Sequence, residues 1–204
     1  MSAIASAATI LHLVLGPGVV IPDLPLADVW REVRAIWAPH LQVVTSSSPL
    51  AAAAGQLTVE LRTADPVRLE SSSPGPSAQA IGWIEFVNGV PRPVVIVSPA
   101  RARQLADAVV IHGERVARLP ASIRHHLSAV ALGRAIAHEL GHFLLRSLEH
   151  APHGLMRAGL RPQDVVVVGG SRFRLMPDEQ RRLTALLAAV PQRAALHAIL
   201  PAAP

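Results

Sequence analysis

A His-Glu-Leu-Gly-His motif, residues 138–142, lies inside a long apolar run with helical spacing. Residues four positions apart lie one turn apart on the same face of a helix, so His138 and His142 can offer both imidazoles to one metal ion. Glu139 lies beside them, where it can take a proton from a metal-bound water. Zinc prefers nitrogen and sulfur ligands in tetrahedral geometry, and its catalytic sites use three protein ligands. The pattern therefore predicts a helix-borne Zn2+ site whose third ligand comes from elsewhere in the chain.

Two histidines on one helix can also be polar residues on a solvated face. The residues that flank the motif are apolar and predict a core helix instead: Ala135, Ile136, Ala137, Leu140, Phe143, Leu144 and Leu145. Unpaired polar side chains are costly in such a setting. We therefore interpret the two histidines as metal ligands.

The length of 204 residues predicts one domain over residues 1–204, with tails at 1–7 and 191–204. Half of the residues are hydrophobic, which is enough for a sizeable core. The sequence contains no cysteine, so disulfides and thiolate metal sites are excluded. This absence says little about the compartment, because cytosolic and secreted proteins can both lack cysteine.

The chain is basic, with a formal net charge of +5 and an isoelectric point of about 11.4. The arginines that supply this charge are scattered, with few aromatic residues between them to stack bases, so no nucleic-acid partner is expected. No run of about twenty apolar residues is present, and no membrane span is expected. The apolar N-terminus lacks the basic region of a signal peptide, so we favour a cytoplasmic location. The oligomeric state is left open.

The order of predicted elements indicates an α+β fold, with a mixed sheet of five strands backed by helices. Alternating or β-branched runs predict strands at Ala8–Leu15, Leu41–Thr45, Leu57–Leu61, Ile81–Val87 and Pro93–Val97, and a small later strand at Val165–Val168. Apolar residues at helical spacing predict helices at Pro25–Ala38, Pro99–Val110, Ala121–Ser147 and Pro177–Val190.

Three further features complete this prediction. The apolar residues of Pro93–Val97 are continuous, as in a strand that is buried on both faces. Asn88-Gly89 predicts a tight turn between two strands. Residues Asp65–Ala78 are rich in serine, proline and glycine, and we interpret them as an exposed loop.

With these elements in place, the chain resembles the zincin metallopeptidases, and it is most similar to the metzincins, especially the matrixin-like ones. The motif at residues 138–142 carries the resemblance first, and Gly154-Leu155-Met156 is similar to the Met-turn that lies under the metal in that family. The segment from Leu175 to Gln180 resembles the start of the family's last helix. The resemblance spans about residues 8–190. It implies an N-terminal helix, a five-stranded sheet, the motif helix, a Met-turn and a C-terminal helix.

The third ligand departs from the family pattern, which places a glycine three residues and a histidine six residues after the motif. Leu145 and Leu148 stand at these positions. Without the glycine, the helix is expected to run on for part of a turn, and His150 is the first imidazole downstream that a loop can return to the metal. We predict His150 as the third ligand. The other candidates are His153, Glu179 and Glu149.

The resemblance implies a zinc-dependent metallopeptidase that hydrolyses peptide bonds with a zinc-activated water and with Glu139 as the general base. It also implies that a peptide or protein substrate lies extended along an edge strand, and we predict that this strand contains Trp83, Ile84 and Glu85. The alternative is a non-catalytic protein on a zincin scaffold, with a structural zinc ion or a basic surface that binds nucleic acid. Glu139 favours the enzyme, because a structural site needs no base.

Overall fold

The computed structural model describes residues 9–16, 19, 21, 23–46, 56–64, 80–166 and 170–189. Its main sheet is formed by five strands: β1 (Ile10–Leu15), β2 (Gln42–Ser46), β3 (Gln56–Thr63), β4 (Gly82–Val87) and β5 (Val90–Val97). Their order across the sheet is β2-β1-β3-β5-β4. The first four of these run parallel, and β4 runs antiparallel at one edge. The loop predicted at Asp65–Ala78 and the tails predicted at 1–7 and 191–204 lie outside the described residues.

The helices are α1 (Leu26–Trp37), α2 (Pro99–Asp107), α3 (Ala121–Leu145), α4 (Pro162–Val165) and α5 (Pro177–Ala188). A small hairpin of β6 (Val110–Ile111) and β7 (Glu114–Arg115), which the sequence pattern does not predict, joins α2 to the segment before α3. The predicted mixed five-stranded sheet backed by helices is confirmed.

The alternation of side chains explains which face of the sheet forms the core. In β3, Val59 and Leu61 are fully buried, whereas Thr58 and Arg62 are exposed. Because strand residues alternate between faces, the buried residues share one face, and they belong to the same core as the buried residues of α1 and α3. The same rule corrects the prediction for β5. Val95 and Val97 are fully buried, but the residues between and before them are only partly buried, so this strand is not buried on both faces.

The turn between β4 and β5 sets the edge of the sheet. Asn88 and Gly89 both have positive φ angles, of 51° and 76°, as a two-residue hairpin turn requires. Pairing therefore begins at Val87 and Val90, so β5 starts three residues earlier than predicted. The predicted turn is confirmed, and among the described strands β4 pairs only with β5, which makes it an edge strand of this sheet.

The strand predicted at Val165–Val168 is wrong in its described part, because Val165 is the last residue of α4. The β-branched residues suggested a strand, but the residues before them favour a helix start. Pro162 occupies the first turn, and the Asp164 carboxylate accepts a hydrogen bond from the Arg161 backbone N–H at 2.8 Å.

α3 is the central helix, and it packs against α1, α2, α5 and the strands β4 and β5. Almost every residue from Leu127 to Leu145 is buried. Polar side chains within this span therefore need internal partners or a ligand. Among the described residues, none of the helices combines the length and the apolar character that a membrane crossing requires.

Candidate metal centre

The motif histidines lie on the last two turns of α3, with their rings brought together. The Nε2 atoms of His138 and His142 are 3.0 Å apart. The ring of His150 stacks on His138 with centroids 5.3 Å apart and meets His142 edge-on at 4.9 Å. One ligand atom from each of the three rings lies within 4.8 Å of the others. In the part of the chain that the structure describes, this is the group of side chains suited to holding a metal ion.

Hydrogen bonds fix the tautomers of both helix-borne histidines. His138 Nδ1 lies 2.8 Å from the carbonyl oxygen of Leu155, and His142 Nδ1 lies 2.6 Å from the carbonyl oxygen of Ser147. A carbonyl oxygen can only accept, so each Nδ1 carries the proton and donates it. In the neutral rings, both Nε2 atoms therefore present lone pairs to each other across 3.0 Å. Two lone pairs at this distance repel, and a shared cation removes the repulsion.

Both rings are neutral at physiological pH. Burial lowers the pKa of His138 to about 4, although the hydrogen bond to Leu155 opposes that change. Burial also lowers the pKa of His142, and the hydrogen bond to Ser147 opposes it there. Neutral imidazole is the form that binds a metal, and a ring whose other nitrogen donates to a carbonyl is held in place for that role.

Zinc fits this donor set. Tetrahedral zinc with Zn–N bonds of 2.0–2.1 Å holds its nitrogen ligands about 3.3 Å apart. The 3.0 Å between the two Nε2 atoms is close to that separation, and the third imidazole lies on the same side. A catalytic zinc site uses three protein ligands and one open position, and the three rings could provide those ligands.

The helix ends at the position of the family's glycine, and the chain turns at the next residue towards His150. Leu145 is the last residue of α3, and Arg146 adopts a left-handed conformation with φ 49° and ψ 48°. The Ser147 N–H then reaches the His142 carbonyl oxygen at 3.3 Å, which closes the helix end. The predicted continuation of the helix for part of a turn is therefore wrong, and Arg146 takes the backbone angles that favour glycine.

Met156 packs against α3 at Gly141, between the two motif histidines in sequence. It is almost fully buried, and a Cβ atom on Gly141 would stand only 2.2 Å from its sulfur. Gly141 is the residue between the ligand positions that faces this side chain, so the absence of a side chain there admits the sulfur. The Met156 carbonyl oxygen also accepts the Ala151 N–H at 2.9 Å. That bond closes the loop directly after His150.

Glu139 points into the cleft beside the histidines. It is only 7% exposed, and burial raises its pKa to about 8. Within the described residues, its carboxylate has no hydrogen bond or ion pair. Its Cγ would lie 3.1 Å from a Cβ atom on Gly82, so the start of β4 passes directly over it.

The remaining predicted site residues are placed as follows. Trp83, Ile84 and Glu85 line the cleft from β4. His153 and Glu149 are exposed and lie outside the three-histidine group. The Glu179 carboxylate accepts the Met176 N–H at 2.7 Å at the start of α5, so it has a structural partner there.

A charged network behind the site was not predicted from the sequence. Arg134, one turn before His138, is 2% exposed, donates to Glu32 at 2.6 Å and lies over the ring of Phe173 at 4.4 Å. It also donates to the carbonyl oxygen of Asp164, and the Asp164 carboxylate accepts from Arg157, which follows Met156. One signal was available: an arginine inside an otherwise apolar helical run needs buried partners.

A cleft of about 1190 Å³ runs past the histidines. Its walls are β4, one face of α2, the motif residues of α3 and the segment that follows Met156. An extended peptide of several residues fits a groove of this size that is bounded by an edge strand.

Comparisons with known proteins find a distant likeness to solved structures. No protein-family model matches the sequence, and no curated protein matches it. Eight chains of solved structures match. One is the crystal structure of archaemetzincin from Methanopyrus kandleri at 1.5 Å resolution, with 15% sequence identity and a TM-score of 0.47. The match covers 89% of this chain and 96% of that chain. The function proposed below is therefore argued from the site's own geometry.

Proposed function

We propose that the protein is a zinc-dependent metallopeptidase of the zincin type, with His138, His142 and His150 as the ligands. One observation carries the proposal: two imidazole Nε2 atoms face each other at 3.0 Å while both Nδ1 atoms donate to carbonyl oxygens. This pair has no hydrogen-bonding solution in neutral rings, whereas a cation satisfies both nitrogens. The finer grouping with matrixin-like metzincins is supported by the sequence motifs alone.

Glu139 is proposed as the general base. When bound, zinc would polarise a substrate carbonyl and acidify water at the same place. The Glu139 carboxylate takes a proton from the attacking water as the new C–O bond forms. It then gives that proton to the amine nitrogen as the C–N bond breaks. Its position supports this role, because the carboxylate is buried in the cleft beside the histidines and has no competing hydrogen bond or ion pair among the described residues.

The edge strand is proposed as the substrate-binding element. β4 pairs on one side with β5, and its other edge faces the cleft that contains Glu139. A peptide that adds to this edge gains main-chain hydrogen bonds, and the approach of Gly82 to Glu139 brings a peptide bond near the base. Trp83, Ile84 and Glu85 are the strand residues that we expect to contact the peptide.

The decisive experiment compares Glu139→Gln with wild type. Purified wild type is expected to contain about one equivalent of zinc, as a single site requires. Glu139→Gln should keep the metal and cleave peptides about a hundredfold to ten-thousandfold more slowly, because it lacks the base. Zinc content is measured by elemental analysis, and cleavage is measured on a mixed peptide library by mass spectrometry.

Glu149→Gln is the matched control, because Glu149 is an exposed glutamate on the loop next to the site. It should leave both zinc content and rate unchanged. A Glu139→Gln variant as active as wild type would refute the role of base, and loss of its zinc would make Glu139 a ligand. Wild type that holds zinc and cleaves no peptide would support the structural-zinc alternative instead.

A further inference from the structure

One face of α2 forms a wall of the cleft. The cleft-lining residues of this helix and its end are Arg101, Gln104, Leu105 and Ala108. Their spacing of three, four and seven residues places them along a single helix face. Ala102 and Ala106, which are fully buried, form the face of α2 that lies in the core. The wall is therefore cationic and polar at the start of α2 and apolar at its end.

Arg101 is a cation of the cleft without a carboxylate partner. Arg157 also lines the cleft, but its guanidinium is paired with Asp164. No carboxylate of the described residues lies within 4.0 Å of the Arg101 guanidinium, and its buried Nε has no hydrogen-bond partner. A buried donor left without an acceptor is costly, and a bound anion would relieve that cost.

We propose that Arg101 forms a subsite for a carboxylate of the peptide substrate, with the Gln104 amide as a second donor. This inference rests on the proposed peptidase function and adds the substrate class to it, a peptide with an acidic group near the scissile bond. The planar guanidinium matches a carboxylate through two parallel hydrogen bonds. Gln104 is exposed to the cleft one turn further along the same face, where its NH2 group can donate to the same ligand.

The chain path places this subsite close to the scissile bond. Gly82, which lies against Glu139, pairs with Val97 at the end of β5. Ser98 then caps α2, and Arg101 lies in the first turn of that helix, with its N–H bound to the Ser98 hydroxyl at 3.4 Å. Arg101 lies four positions after Val97, two of them extended and two helical, so the chain between them spans at most about 10 Å. An acidic group two or three residues from the scissile bond spans about 7–10 Å of extended peptide and reaches this position.

The test measures binding, so it does not depend on turnover. Zinc-loaded Glu139→Gln protein is titrated with capped, fluorescent hexapeptides in which one position at a time carries Glu or its neutral isostere Gln. At one position, the Glu peptide should bind about tenfold to a hundredfold more tightly, as expected for a hydrogen bond to a charged group. Adding Arg101→Gln should bring that ratio close to one, and Arg101→Glu should invert the preference towards Lys.

Arg118→Gln is the matched control, because Arg118 is an exposed arginine paired with Glu114 and does not line the cleft. It should keep the full Glu preference. A second arm compares free and amidated peptide C-termini. If the preference that Arg101→Gln removes is for the free terminus, the carboxylate is the C-terminal one; if it is for the internal Glu, the carboxylate is a side chain.

Two results would overturn the proposal: equal binding of Glu and Gln peptides at every position and of both C-termini, or a preference that survives Arg101→Gln. Failure of the peptidase function gives a different result. In that case wild type binds the acidic peptides through Arg101 and leaves them uncleaved. That result would support the Arg101 subsite and contradict the hydrolytic role.

Discussion

The two halves of the metal site are held in different ways. His138 and His142 lie on a helix whose residues are almost all buried, and each ring is tied to a backbone carbonyl through its Nδ1. His150 lies on the loop after the helix, is exposed, and within the described residues its ring makes only stacking and edge contacts. One half is therefore held by hydrogen bonds to its rings, whereas among the described residues the ring of the other half has contacts but no hydrogen bond.

In the proposed ligand set, the third ligand lies two residues further along than in the resembling family, and this difference would accommodate it. A helix fixes the separation of residues four apart, so the first two ligands allow no change of position. A loop ligand needs only to reach the ion, and the loop is secured one residue later by the bond from Ala151 to the Met156 carbonyl. A shift of two residues in the third ligand is therefore absorbed in the loop and leaves α3 unchanged.

The largest expected effect separates the two halves directly. If about 12 kcal/mol of zinc-binding free energy is shared by three ligands, His142→Ala should cost about 4 kcal/mol, a loss of about a thousandfold in zinc affinity. His150→Ala should cost less, about a hundredfold, because ordering a loop residue already consumes about 1–2 kcal/mol of its contribution. Zinc affinity is measured by competition with a chromophoric chelator.

His153→Ala serves as the control for this pair, since it removes an exposed imidazole from the same loop. It should leave zinc affinity unchanged. Cobalt substitution adds a second measurement, because the visible absorption of Co2+ reports the number of nitrogen ligands. If His153→Ala weakens metal binding as much as His150→Ala does, the third ligand has been assigned to the wrong residue.

A smaller effect is expected where the two halves touch. Gly141→Ala places a methyl group 2.2 Å from the Met156 sulfur, so the buried Met156 side chain or the loop that carries it must shift. We expect the free energy of unfolding to fall by about 1–3 kcal/mol, as for other overpacked cores. Met156→Leu keeps a similar side-chain volume and leaves Gly141 in place. It should lower the free energy of unfolding by less than about 1.5 kcal/mol. Urea denaturation of the metal-free proteins measures both.

The same variant shows whether the loop half depends on this contact. If Gly141→Ala acts by displacing the Met156 loop, it should also weaken zinc binding, and the loss should not add to that of His150→Ala. A double-mutant cycle measures the coupling. Fully additive losses would show that the glycine and His150 act independently, which contradicts a loop held in place by Met156.

The sequence predicts the helical half better than the loop half, for a physical reason. Helical periodicity converts spacing into geometry, so the juxtaposition of His138 and His142 follows directly from their positions. The position of His150 depends on where the helix stops, and nothing in the local sequence marks Arg146 as the left-handed residue. Tertiary partners are harder still: the role of Arg134 depends on Glu32 and Asp164, which lie 102 and 30 residues away in the chain. Likewise, β5 is fully buried on one face only, although its own residues suggested burial on both.

The smallest effect is expected at Arg146, where α3 ends and the loop that carries His150 begins. A residue with a Cβ atom destabilises the folded state by about 1–2 kcal/mol when it adopts the left-handed conformation. Glycine avoids this strain, but it loses more backbone entropy on folding, which offsets about 0.5–1 kcal/mol of the gain. Arg146→Gly should therefore raise the free energy of unfolding by up to about 1 kcal/mol. Zinc affinity should stay the same, because the turn keeps its shape and the Arg146 side chain is exposed.

Leu145→Gly is the informative counterpart, because residue 145 is where the resembling family carries its glycine. Here Leu145 is still helical and only 4% exposed. Its replacement removes a buried side chain and places glycine in a helix, so it should destabilise the protein by about 3 kcal/mol or more. Arg146→Gly should thus raise the free energy of unfolding, whereas Leu145→Gly at the adjacent position should lower it. If Leu145→Gly is tolerated and Arg146→Gly destabilises, the chain turns at residue 145 as in the family, and the path that we describe from α3 to His150 is wrong.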